Sequence, residues 1–87
     1  MNQLLTPAHW QPTDKTIHRT FETKSFVRGV EFITGIKDLA EAMNHHPDII
    51  LTYPAVIVTL TTHDQGLVTD KDIRLAEQIN DLWDKTS

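Results

Sequence analysis

The chain has 87 residues, 8 Lys and Arg against 12 Asp and Glu, a formal net charge of −4 and no cysteine. Its length predicts one small domain over residues 1–87 whose modest core favours association with further copies, and the missing cysteines exclude disulfides and thiol chemistry. The basic residues are scattered, which argues against direct nucleic-acid binding, and there is no apolar run for a leader or a membrane span, so we expect a cytoplasmic protein.

The N-terminal part of the chain predicts a short turn followed by a hairpin. Thr6-Pro7 can cap and begin one turn of helix, since proline suits the first helical position. From Ile17 to Glu22 apolar and polar residues alternate, as in a strand. With a turn at 13–15, we expect a hairpin from Trp10 to Glu22.

Helical spacing begins at Ser25. The predicted N-cap is either Ser25 or Thr23. The predicted apolar stripe of this central helix consists of Phe26, Val30, Ile33, Ile36, Ala40 and Met43. Pro47 disfavours helical backbone at the residue before it. We therefore expect the helix to end at about His45, with His46 extended.

The C-terminal half predicts a strand and a second long helix. Residues 55–62 are β-branched almost throughout, and Val56, Val58 and Leu60 should share one face. Residues 51–54 either begin this strand or form a separate one. Thr69 and Asp72 have capping-box spacing, and the stripe of the helix that follows is Leu75, Ala76, Ile79, Leu82 and Trp83.

Five polar residues form the candidate site: Glu41, His45, His46, His63 and Asp72. Histidine suits proton transfer near neutral pH, and Glu41 lies one helical turn before His45, so the two could pair. Taken singly, each residue also has a structural interpretation, as a helix-end, turn or strand-end histidine or as a first-turn acid. The group as a whole indicates an acid/base pocket.

Other interpretations of the polar residues are weaker. Three histidines and two carboxylates could bind zinc or iron, but the i,i+4 histidine pair and the compact facial triad are absent, so we expect no metal. His9 and His18 belong to no pattern. Trp10 and Trp83 are predicted to be core or interface anchors.

The joint spacing resembles a known signature. Glu41-x-x-x-His45-His46-Pro47, then Tyr53, His63 and an Asp72 within residues 66–72, is similar to the pterin-4a-carbinolamine dehydratases. The likeness extends from Trp10 to about Leu82. Members of that family usually begin with a longer helix, whereas residues 1–9 leave room for a turn at most.

The resemblance implies an α+β fold, with an antiparallel sheet of about four strands, helices packed on one face and a shortened first helix. It also implies a homodimer or homotetramer that dehydrates 4a-hydroxytetrahydrobiopterin to quinonoid dihydrobiopterin in cofactor recycling, without a cofactor of its own. The implied alternatives are a pterin-binding protein without activity and a protein-interaction module that uses exposed apolar residues of the central helix, such as Phe32.

By the same resemblance, His45 and His63 transfer protons and His46 helps to bind the pterin, with acid and base unassigned. The implied pterin-lining residues are His45, His46, Pro47, Thr62, His63, Asp64 and Gln65. Glu41 and Asp72 would support the histidines from behind.

Overall fold

The computed structural model describes residues 6–86. The elements are β1 (Gln11–Pro12), β2 (Ile17–Phe21), α1 (Phe26–Met43), β3 (Asp48–Leu51), β4 (Val56–Leu60) and α2 (Asp70–Thr86). All strand pairs are antiparallel, in the order β1-β2-β4-β3. The predicted α+β fold with a four-stranded antiparallel sheet is confirmed.

The central strand β4 carries the core face of the sheet. Val56, Val58 and Leu60 are fully buried, as their alternation predicted, in a cluster with Phe32 and Ile36 of α1 and with residues of α2. β4 pairs with β2 on one side and with β3 on the other. The boundary that the sequence left open is resolved: residues 51–54 end β3 and turn into β4, with the Thr52 N–H donating to the Ala55 carbonyl at 2.9 Å. β4 ends before the predicted 62.

The N-terminal hairpin is also as predicted. β1 pairs with β2, and the Thr13 hydroxyl closes the turn by accepting from the Thr16 N–H at 3.1 Å. The predicted turn at Thr6-Pro7 is present, since the Trp10 N–H donates to the Pro7 carbonyl at 3.1 Å. Residues 6–10 contain no helix, and residues 1–5 of the predicted short first helix lie outside the described part.

Helix α1 begins at the predicted cap, because the Ser25 hydroxyl accepts from the Arg28 N–H at 3.3 Å. Its buried face matches the predicted stripe in part: Ile36 and Ala40 are buried as predicted, Gly29 and Phe32 are buried in addition, and Phe26 and Val30 are exposed. The reason is Gly29, where a Cβ would lie 2.7 Å from the Leu51 Cδ1 atom, so the helix approaches the sheet through its glycine.

The prediction that Phe32 is exposed is therefore wrong. Phe32 is 4% exposed and joins an aromatic cluster, with its ring centroid 4.8 Å from that of Phe21 and 5.2 Å from that of Trp83. Edge and tilted arrangements of this kind stabilise the core beyond the contribution from burial of the rings. The two helices and one face of the sheet thus share a single aromatic core.

Helix α2 follows its predicted stripe and completes this core. Leu75, Ala76 and Ile79 are fully buried, and Leu82 and Trp83 pack partly buried beside them. Trp10 is an anchor as predicted, since its indole N–H donates to the Asn80 side-chain oxygen at 2.8 Å. Within residues 6–86, no helix has the length and apolar character needed to cross a membrane.

Candidate active site

The site forms where the C-terminal end of α1, the end of β4 and the first turn of α2 meet. α1 ends earlier than predicted, because Asn44 adopts a left-handed backbone (φ 53°) and stops the helix before Pro47 can. The His45 N–H then donates to the Ala40 carbonyl at 3.1 Å, as in a Schellman motif. His45 consequently lies just beyond the helix rather than in its last turn.

This displacement changes the partner of His45. The predicted pair of Glu41 and His45 is wrong, because the two no longer share a helical face. The His45 Nε2 atom instead lies 2.5 Å from the Asp72 Oδ1 atom, and the side chains are 11% and 0% exposed. Asp72, predicted as a first-turn acid of α2, is therefore also the direct partner of a site histidine.

Asp72 is held by further contacts on its second oxygen. Its Oδ2 atom accepts from the Thr62 hydroxyl at 2.7 Å and from the Thr69 N–H at 2.9 Å. The Thr62 and Thr69 hydroxyls lie 2.6 Å apart. One half of the predicted capping box is thus present, because the Asp72 carboxylate accepts from the Thr69 N–H. The Thr69 hydroxyl contacts the Thr62 hydroxyl instead of a backbone N–H of the helix.

Glu41 pairs with the second histidine of the corner. The His46 Nε2 atom lies 2.5 Å from the Glu41 Oε2 atom, and the two side chains are 56% and 67% exposed. An exposed pair of this kind contributes little to stability. Its effect is to hold the His46 ring close to the end of α1.

The three histidines border one open cavity of about 310 Å³. Its lining consists of Asn44, His45, His46, Thr62, His63, Asp64 and Lys71. Glu41 and Asp72 are outside this lining and contact it through the histidines, and Pro47 and Gln65 are outside it as well.

Tyr53 does not join the site. It lies in the turn between β3 and β4, at the opposite end of β4 from Thr62, and is 70% exposed.

Three features of the site were missed in the sequence analysis: Asn44, the Thr69 hydroxyl as a partner of Thr62, and Lys71. The sequence offered one signal for Lys71, since this residue directly precedes Asp72 in the predicted first turn of the second helix.

In residues 6–86 no three His, Cys, Asp or Glu side chains are grouped so that they could hold a metal ion.

A sequence model described as "Pterin 4 alpha carbinolamine dehydratase" matches residues 1–82. The chain belongs to this family.

Relatives in other organisms carry the same description. A protein of Sulfurisphaera tokodaii named "Putative pterin-4-alpha-carbinolamine dehydratase" is 42% identical over 73 residues, covering 84% of this chain and 78% of its own. One of the same name in Natronomonas pharaonis is 45% identical over 76 residues, covering 87% and 83%.

Two solved structures have the same fold. The crystal structure of a "transcriptional coactivator/pterin dehydratase" from Brucella melitensis superposes with a TM-score of 0.81 at 34% identity, covering 86% of this chain and 82% of that one. A pterin dehydratase-like protein identified as a RuBisCO assembly factor superposes with a TM-score of 0.69 at 19% identity, covering 85% and 86%. The second likeness supports the fold alone.

Proposed function

We propose that this protein is a 4a-hydroxytetrahydrobiopterin dehydratase, a hydro-lyase that forms quinonoid dihydrobiopterin. The observation that carries the proposal is the convergence of His45, His46 and His63 on one cavity in a member of this family. The reaction needs proton donors and acceptors on a small ring system, and imidazoles serve as both near neutral pH.

The chemistry requires two coordinated proton transfers. Hydroxide leaves poorly, so an acid must protonate the 4a-oxygen while a base removes a proton from a ring nitrogen. The electron pair of that N–H bond forms the new C=N bond, the C4a–O bond breaks and water leaves. His45 and His63 carry these transfers in the proposal, and no redox cofactor is required.

The remaining cavity residues bind and orient the pterin in the proposal. His46 holds the ring system, with Thr62 and Asp64 beside it in the cavity lining. Pro47 and Gln65 lie outside that lining, and in the proposal they contribute by shaping the corner and the loop that carry these residues. The carboxylates of Asp72 and Glu41 orient His45 and His46 respectively through the two hydrogen bonds described above.

The direct test is the rate at which the protein removes synthetic 4a-hydroxytetrahydropterin, followed by absorbance. We expect the wild-type protein to exceed the buffer rate, and His45→Ala and His63→Ala each to lose about 10²-fold or more of the catalysed rate. His18→Ala is the matched control, since His18 lies on β2 outside the cavity, and it should keep the full rate. A wild-type rate equal to that of buffer would contradict the proposal.

We also propose that residues 1–87 act in the cytoplasm as one domain assembled into a homodimer or homotetramer. Exposed apolar side chains at the start of α1, namely Phe26, Val27 and Val30, support association. The same surface supports the second candidate, a protein-interaction module. Light scattering on the purified protein tests self-association, and a stoichiometric foreign partner with no dehydratase activity would favour the second candidate.

A further inference from the structure

The hydrogen bonds around Asp72 define which nitrogen of His45 can exchange protons with a ligand. We propose that His45 is locked with its proton on Nε2, that Nδ1 is the atom which exchanges a proton with the pterin, and that Thr62 and Thr69 are positioning residues for this arrangement. The catalytic part of this inference rests on the proposed function. The protonation pattern itself does not.

The argument begins with the donors that surround the Asp72 carboxylate. An ionised carboxylate only accepts hydrogen bonds. The Thr69 N–H and the Thr62 hydroxyl therefore both donate to Oδ2, at 2.9 and 2.7 Å. Because the Thr62 hydroxyl has one hydrogen, which it gives to Asp72, the Thr69 hydroxyl must be the donor in its 2.6 Å contact with Thr62.

The same rule applies to the other carboxylate oxygen. Oδ1 has the His45 Nε2 atom 2.5 Å away, and an ionised carboxylate can only accept, so Nε2 is the donor and carries the hydrogen. Nε2 therefore carries hydrogen both in the neutral ring and in the protonated ring. We call this set of hydrogen bonds the relay: the Thr69 hydroxyl donates to Thr62, Thr62 donates to Asp72, and Asp72 also accepts from His45 Nε2–H.

Nδ1 is left as the exchanging atom. It has no hydrogen-bond partner among residues 6–86. Within residues 6–86, the side-chain N or O atom that is buried and lacks a partner is Thr23 Oγ1. Since the His45 Nδ1 atom also lacks a partner, it is not buried, and it therefore keeps contact with solvent. His45 also lines the cavity. In the neutral ring the Nδ1 lone pair can take a proton, and in the protonated ring Nδ1–H can give it back, while Nε2–H stays bound to Asp72.

The relay explains why the buried Thr62 and the half-buried Thr69 lie beside a charged group. Thr62 and Asp72 are 9% and 0% exposed, so water cannot easily replace the donors of Oδ2. With Oδ2 occupied by two donors, the carboxylate cannot rotate, and Oδ1 stays directed at the imidazole. For histidines that bind metals, loss of such outer contacts typically costs about 10- to 100-fold in activity, and we expect an effect of similar size here.

The test measures the protonation state of the His45 ring directly. Two-bond ¹H–¹⁵N correlation spectra distinguish a protonated from an unprotonated ring nitrogen, and the His45 signals are those lost in His45→Gln. For neutral His45 in the wild-type protein we expect a protonated Nε2 and an unprotonated Nδ1. In Asp72→Asn, the two donors on Oδ2 should hold the amide oxygen, so that the amide NH₂ faces Nε2 and the proton moves to Nδ1.

Kinetics provide the second measurement on the same variants. Asp72→Asn should lower kcat by about 10²- to 10⁴-fold with little change in KM, since the tautomer is inverted while the cavity lining is retained. Thr62→Val and Thr69→Val should lower kcat by up to about 10-fold, and Thr69→Ser should restore it. Thr61→Val is the matched control, because its hydroxyl donates to the Lys15 carbonyl at 2.6 Å, outside the relay.

The outcomes separate this inference from the proposed function. A wild-type ring protonated on Nδ1, or an unchanged His45 tautomer in Asp72→Asn, would overturn the inference even if the protein is an active dehydratase. A wild-type protein with the expected tautomer but no dehydratase activity would overturn the proposed function and with it the use of Nδ1, and would leave only the protonation pattern.

Discussion

Replacing Asp72 by alanine should cost far more stability than the same replacement two residues earlier at Asp70. Both acids lie in the first turn of α2, so both lose the favourable interaction with the helix dipole. Asp70 is 63% exposed and pairs with Arg74, a contact worth about 0.5 kcal/mol. Asp72 is fully buried and accepts from three donors.

The difference can be worked out from those three donors. A Thr69 N–H left without a partner at this partly buried position costs up to about 1–3 kcal/mol, and a lost hydrogen bond to a charged group costs about 1.5–3 kcal/mol. The total cost is smaller than the sum of three lost hydrogen bonds, because His45 can turn to solvent and the Thr62 hydroxyl keeps its hydrogen bond with the Thr69 hydroxyl. We expect Asp72→Ala to lower the free energy of unfolding by about 3 kcal/mol and Asp70→Ala by about 1 kcal/mol or less.

Urea unfolding followed by tryptophan fluorescence measures both variants, because Trp10 and Trp83 lie in the core cluster or against it. A domain of this size has roughly 4–13 kcal/mol of total stability, so the Asp72 effect is readily resolved. In thermal unfolding, Asp72→Ala should melt about 10–25 °C below the wild-type protein. Equal losses for the two variants would refute the hydrogen-bonding assignment of Asp72.

Substitutions at four further positions test the elements that position the site. Asn44→Gly should retain the free energy of unfolding, whereas Asn44→Val should lower it by about 1–2 kcal/mol because its backbone is left-handed; a neutral valine would contradict that geometry. Ser25→Ala should cost about 1 kcal/mol through loss of the N-cap, and Ser25→Asp should not. Trp83→Ala should cost about 3–5 kcal/mol in urea unfolding, and a smaller loss would argue against the aromatic cluster. Glu41→Ala should change stability by less than about 1 kcal/mol, since its pair with His46 is exposed; a larger change would indicate a buried role.

Local patterns were sufficient to predict most elements of this fold. β4 is a run of β-branched residues with alternating burial, and the buried face of α2 follows its apolar spacing. The face of α1 was predicted less well, because the residue that lies against the sheet is Gly29. Glycine has no side chain to mark a buried position, so the apolar pattern favoured Phe26 and Val30 on the neighbouring face instead.

The candidate site was predictable as a set of residues but not as a set of contacts. The spacing of Glu41 and His45 predicts a pair only if the helix continues, and the left-handed Asn44 ends it between them. The actual partner, Asp72, is 27 positions away from His45 in the chain. The packing of α2 against α1 brings the two together, and no local signal encodes that distance.

The three proposed histidines are held with different strength, and this difference has a chemical consequence. His45 is bound to a buried carboxylate, His46 to an exposed one, and His63 is exposed without a side-chain hydrogen bond to any residue from 6 to 86. A reacting group that is already held in position loses less freedom when the ligand binds. Within the proposed function, His45 is therefore oriented for proton transfer before the pterin arrives, whereas His63 must be oriented when the pterin binds.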